Sequence, residues 1–124
     1  MSKASLDQAT LEALGAGRFR IGGVLNAATV TDILLQSKER FQGLPHVETD
    51  FAAVTESDSA GLALLLEWLR LARKVGQQIR FGHVPEQIMA LARISEVDDL
   101  LTENSATPAP DAAGAAQPAS GVTA

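Results

Sequence analysis

The run Glu56-Ser57-Asp58-Ser59-Ala60-Gly61-Leu62-Ala63-Leu64-Leu65-Leu66 constrains this chain more than any other stretch. A short polar turn passes straight into a strongly apolar segment with helical spacing. The first turn of a helix leaves backbone N–H groups without internal partners, and that end carries about half a positive charge. Asp58 or Ser59 at the junction can cap the helix. Ser59 can also carry a phosphate, which a helix end stabilises, or touch a partner directly. On the residues alone, cap, contact and phosphoswitch all stay open.

Projected at about 100° per residue, the helix that follows has an apolar arc wider than one sheet contact needs. Leu62, Leu65, Leu66 and Leu69 form one stripe; Leu64, Trp68, Leu71 and Val75 form a second, and Glu67, Arg70 and Lys74 mark a narrow solvated side. The excess predicts that Leu64, Trp68 and Leu71 are a patch for another protein, because Trp is enriched among interface anchors. Burial of both stripes by the sheet and a neighbouring helix is the competing reading.

Around this helix the pattern is α/β. Residues 1–8 are polar and expected to fray. Ala9 to Leu14 and Arg18 to Ile21 read as a hairpin across Gly15-Ala16-Gly17. Val30, Ile33, Leu34, Ser37 and Phe41 follow helical spacing, with Thr29 and Asp32 placed as a capping box; Gly43 and Pro45 stop that helix. Val47, Thr49 and Phe51 alternate as a central strand does, and a turn over residues 54–58 precedes the apolar helix. Gly76 ends it, Gln77 to Gly82 reads as a strand, and Pro85 opens a helix carrying Ile88, Leu91 and Ala92. Val97, Leu100 and Leu101 close the core. Two strand–helix–strand units imply partly parallel pairing and right-handed crossovers, hence a small mixed sheet with helices mainly on one face. From residue 103 to 124, Ala, Pro, Ser, Thr and Gly dominate, a composition that cannot bury enough surface to order itself. The expected folded domain is therefore 9–102.

Composition excludes several classes. Net charge is −5, from 15 acids against 10 bases, with no basic stripe of the kind a nucleic-acid binder carries. There is no cysteine, hence no disulfide framework or thiolate chemistry. The longest apolar run, Leu62 to Leu66, is far short of the roughly 20 residues of a membrane-spanning helix. A cytoplasmic setting without membrane insertion fits these features. His46 and His83 have no metal-ligand spacing. No Gly-x-Ser-x-Gly elbow surrounds Ser59, and the glycine pairs lack the Gly-Lys-Ser/Thr ending of a phosphate loop.

Two motifs carry a family resemblance. Asp58-Ser59-Ala60-Gly61-Leu62, between a strand and an apolar helix, resembles the STAS family, whose pattern there is an acid, Ser or Thr, a small residue, Gly and Leu. Gly23-Val24-Leu25-Asn26 is similar to the family's Gly-Glu-Leu-Asp. Within the family, Gly61 to Leu66 followed by Leu71-Ala72-Arg73-Lys74 looks most like the small cytoplasmic subunits of bacterial Mla phospholipid-transport ABC systems, MlaB. The resemblance implies a STAS-type fold and a non-catalytic module with no cofactor. Its implied partner is the transporter's ATPase subunit, bound at the inner membrane in support of outer-membrane lipid asymmetry. The implied contact is the loop Ser57, Asp58, Ser59, Ala60 and Gly61, extending along the start of the helix. Anti-sigma-factor antagonists, switched by serine phosphorylation at the position of Ser59, are the alternative. Val24 and Asn26 stand where such members often have acids, which favours the transporter reading.

Overall fold

The structure, a computed structural model, describes residues 7–104; the expectations for residues 1–6 and 105–124 fall outside them. Eight elements follow one another: β1 (Ala9–Gly15), β2 (Arg18–Leu25), α1 (Ala27–Arg40), β3 (His46–Ser57), α2 (Ser59–Val75), β4 (Gln78–Gly82), α3 (Glu86–Ile94) and α4 (Asp98–Glu103). The four strands lie in sequence order in one sheet. β1 and β2 form the antiparallel hairpin, while β2–β3 and β3–β4 are parallel. Each parallel pair is joined by a crossover helix, so α1 and α2 fall on the same side.

That side is the core. Leu11, Phe19, Ile21, Val47, Thr49, Phe51, Ile79 and Phe81 alternate along their strands and are all buried. The intervening residues make a polar outer face, where Glu12 and Arg20, paired across β1 and β2, form an ion pair at 3.2 Å. α2 runs between α1 and α3 and touches both. Ile88 and Ala92 of α3 and Leu101 of α4 complete the core. The Asn104 carbonyl accepts the Phe81 N–H at 2.7 Å, covering part of the β4 edge.

Three local expectations need correction. β3 does not turn at 54; it continues to Ser57, hydrogen-bonded to a β2 that reaches Leu25. The register shifts between Arg20 and Gly22 and between Gly23 and Val24, so Ala52 and Ala53 are both exposed and the period of two that signals a strand is broken. Gly23 takes φ +89° at this irregularity, and a Cβ there would overlap the Gln8 carbonyl. Gln8 is itself tied down, since its carbonyl accepts the Val24 N–H at 2.8 Å. α1 is capped by Asn26, not Thr29: the Ala28 N–H donates to Asn26 Oδ1 at 2.9 Å, and the Asn26 N–H donates to Thr29 Oγ1 at 3.0 Å. Thr29 is thus the N3 partner of the capping box rather than its N-cap. Finally, residues 98–103 form a short separate helix closed by Asn104, so the ordered chain runs past residue 102, where the composition placed its end.

Candidate partner-binding site

The register of the parallel pair builds the site. Leu25 lies beside Ser57, and the Asp58 N–H donates to the Leu25 carbonyl at 3.1 Å. The two residues that leave the sheet next, Asn26 and Asp58, are therefore neighbours, and each caps a helix. Asp58 has an extended backbone and its Oδ1 accepts the Ala60 N–H at 2.8 Å. The cap on α2 is Asp58, which frees Ser59 for another use. Ser59 is exposed, and among the described residues its hydroxyl has no protein partner.

Around this pair of helix ends the surface is made of small side chains. Ala27, Ala28 and Ala63 are exposed and Ala60 is half-buried. Ala63 lies one turn beyond Ser59 on the same stripe of α2, and the apolar-run reading passed over it because alanine scores as core in such a run. Asn26, Ala27 and Ala28 lie beside the expected loop; their place follows from the β2–β3 register, which the sequence motif does not reveal.

The other expected site residues divide by burial. Ser57 is buried, and its hydroxyl donates to the Asp58 carbonyl at 3.3 Å. Gly61 is buried, and a Cβ there would overlap the Ser57 hydroxyl and come within 3.1 Å of Ile88. These two residues set how closely α2 approaches β3 and α3; they position the loop rather than face outward. Leu64 and Trp68 are 3% and 2% exposed, so the expected outward patch is not present at them. The reason is α1. Trp68 Nε1–H donates to Ser37 Oγ of α1 at 2.7 Å, and its ring lies tilted against Phe41 and Phe51 at 5.3 and 6.2 Å. The sheet and the neighbouring helices share the broad apolar arc of α2. Leu71 is half-buried and lies near the far end of the helix.

On the solvated side of α2, Arg70 hydrogen-bonds Glu67 at 2.6 and 3.0 Å. These bonds hold Glu67 below the usual carboxylate range, with the charges of Arg70 and Lys38 adding to the effect. His46 and His83 sit at strand ends; His83 Nδ1 is 3.0 Å from Asp50 Oδ1 on the outer face. Among the described residues no three His, Cys, Asp or Glu side chains could together hold a metal ion, and no helix is long and apolar enough to cross a membrane.

A mixed four-stranded sheet, helices over one face and an exposed acid–serine junction at the carboxyl edge of the strands define a STAS-type α/β domain. The family model described as Mlab, STAS domain, matches residues 5–102, and the chain belongs to that family. The fold is similar to the solved "Structure of the Anti-Sigma Factor Antagonist SpoIIAA in its Unphosphorylated Form", with a TM-score of 0.58, 18% identity and 87% of each chain covered. No curated protein matches significantly.

Proposed function

We propose that this chain is a non-catalytic STAS subunit that binds and supports the ATPase of a phospholipid-transporting ABC system from the cytoplasmic side of the inner membrane. The observation that carries this reading is the exposed surface of short side chains at Ala27, Ala28, Asp58, Ser59 and Ala63, with half-buried Asn26 and Ala60 between them, in a domain of the Mlab family. Small side chains let a partner backbone approach closely. Both helix starts are already capped by Asn26 and Asp58, so little ordering remains to oppose docking. A subunit that binds only the folded ATPase stabilises it by mass action. Ser59 is the contact residue in this reading and Asp58 fixes its position.

The test is affinity purification of the tagged full chain from its own cells, with mass spectrometry, comparing wild type and Ser59→Arg. The expected result is an ABC ATPase and permease with the wild type and neither with the variant. Recovery of a small kinase-like ATPase instead would overturn the reading. A serine phosphoswitch is the second reading, favoured by the exposed Ser59 hydroxyl, which has no partner among the described residues. Phosphate would add about −1.5 to −2 charge beside exposed Glu56 and Asp58, converting the contact into a repulsive one for an acidic partner. Intact mass of protein from its native cells distinguishes the two; phosphate on Ser59 supports the switch.

A further inference from the structure

At the opposite end of α2, roughly 20 Å from Ser59 at 1.5 Å per residue, a cavity of about 650 Å³ opens between the carboxyl ends of α1 and α2. Phe41, Leu44, Trp68 and Leu71 line it, with Val75, 73% exposed, where it opens to solvent. Its volume falls within the roughly 300–1,000 Å³ of small-molecule sites.

The polar groups within it are largely spent. Ser37 Oγ accepts from Trp68 and donates to the Leu34 carbonyl at 2.7 Å. The Gln77 side-chain amide donates to the carbonyls of Phe41 and Leu44 at 2.8 and 2.9 Å. The N–H groups of Gly76 and Gln77 take up the Arg73 and Ala72 carbonyls at the end of α2. These groups of the two helix ends are therefore already engaged with one another, and Gln42, exposed, is the further polar side chain on the wall. The charges bordering it are Lys38 and Lys74, both exposed. Glu67, the carboxylate close to Lys38, is engaged by Arg70 and does not line the cavity.

A ligand suited to these walls has an apolar body without internal polar groups and an anionic group at one end only. Nucleotides and sugars, polar along their length, would leave their groups unpaired. The geometry points to a single acyl chain ending in a carboxylate or phosphate monoester, seated on Leu44, Leu71 and Val75 above the buried rings of Phe41 and Trp68, with its acid group between Lys38 and Lys74. This inference does not rest on the partner reading, since the cavity and the Asp58–Ser59 loop lie at opposite ends of α2.

Trp68 is the only tryptophan and, lying under the cavity wall, reports on its occupancy. The full chain is titrated with decanoate, decyl phosphate and neutral decanol below their aggregation concentrations, and with acetate and inorganic phosphate as head groups alone. The expected result is a saturable change in Trp68 emission with decanoate or decyl phosphate and none with the head groups. The tighter of the two anions identifies the acid group. Binding weakens about tenfold in Lys38→Gln/Lys74→Gln, as loss of a charge-assisted contact implies; both side chains are exposed, so the fold is kept. Absence of a saturable change, equal binding of decanol, or unchanged binding by the double variant would overturn the inference. The same variant should still co-purify the transporter proteins, so failure here and failure of the partner reading are separable.

Discussion

The two ends of α2 are built on opposite principles. At its start, Asp58, Ser59 and Ala63 are exposed, short and fixed by a cap, and no large side chain holds them. Further along, Leu64, Leu65, Trp68 and Leu69 are buried in the core. The exposed side chains of the first end contribute less to stability than the buried ones of the second, which can hardly change without unfolding the domain. Wide apolarity in a helix is therefore no measure of an interface until its neighbours are known.

The largest test of this contrast is Trp68→Ala. It removes a buried ring and leaves Ser37 without its donor, so we expect a loss of about 3–5 kcal/mol in urea unfolding. A loss under about 1 kcal/mol would mean Trp68 is not core. Gly61→Ala comes next, because the added Cβ meets the Ser57 hydroxyl and Ile88; overpacking of this kind costs about 1–3 kcal/mol, read as a lower urea midpoint. Asp58→Ala should cost about 1 kcal/mol through the lost cap, whereas Asp58→Asn keeps the cap and should stay near wild type. A parallel loss in both would transfer the role from capping to charge. Ser59→Ala is the smallest, within about 0.5 kcal/mol by thermal unfolding, since its exposed hydroxyl has no partner among the described residues. A larger loss would give Ser59 a structural part and blur the contrast.

Much of this was legible in the residues. The start of α2 at the Asp58-Ser59 junction and its end at Gly76, which takes φ +74°, follow from local chemistry that tertiary contacts do not alter. The inward set Val47, Thr49 and Phe51 follows from a clean period of two. What could not be read depends on partners distant in sequence. β3 beyond Ala52 exists because β2 hydrogen-bonds it across a register shift, which erases the alternation. The neighbouring helix ends at Asn26 and Asp58 follow from pairing of Leu25 with Ser57. The burial of Trp68 is decided by Ser37 and Phe41, about 30 residues away. The acid–serine junction was recognisable as an exposed helix start, but the small side chains Ala27, Ala28 and Ala63 beside it were not.

The central claim is that the partner docks on the start of α2 and not on its apolar length. Amide hydrogen exchange of the free chain and of the chain in its purified transporter complex tests it most directly. We expect added protection over residues 26–29 and 58–64 in the complex, with little change over 65–72, whose amides the fold already shelters. Protection confined to the later turns of α2, with the Asp58–Ser59 end unchanged, would contradict the account.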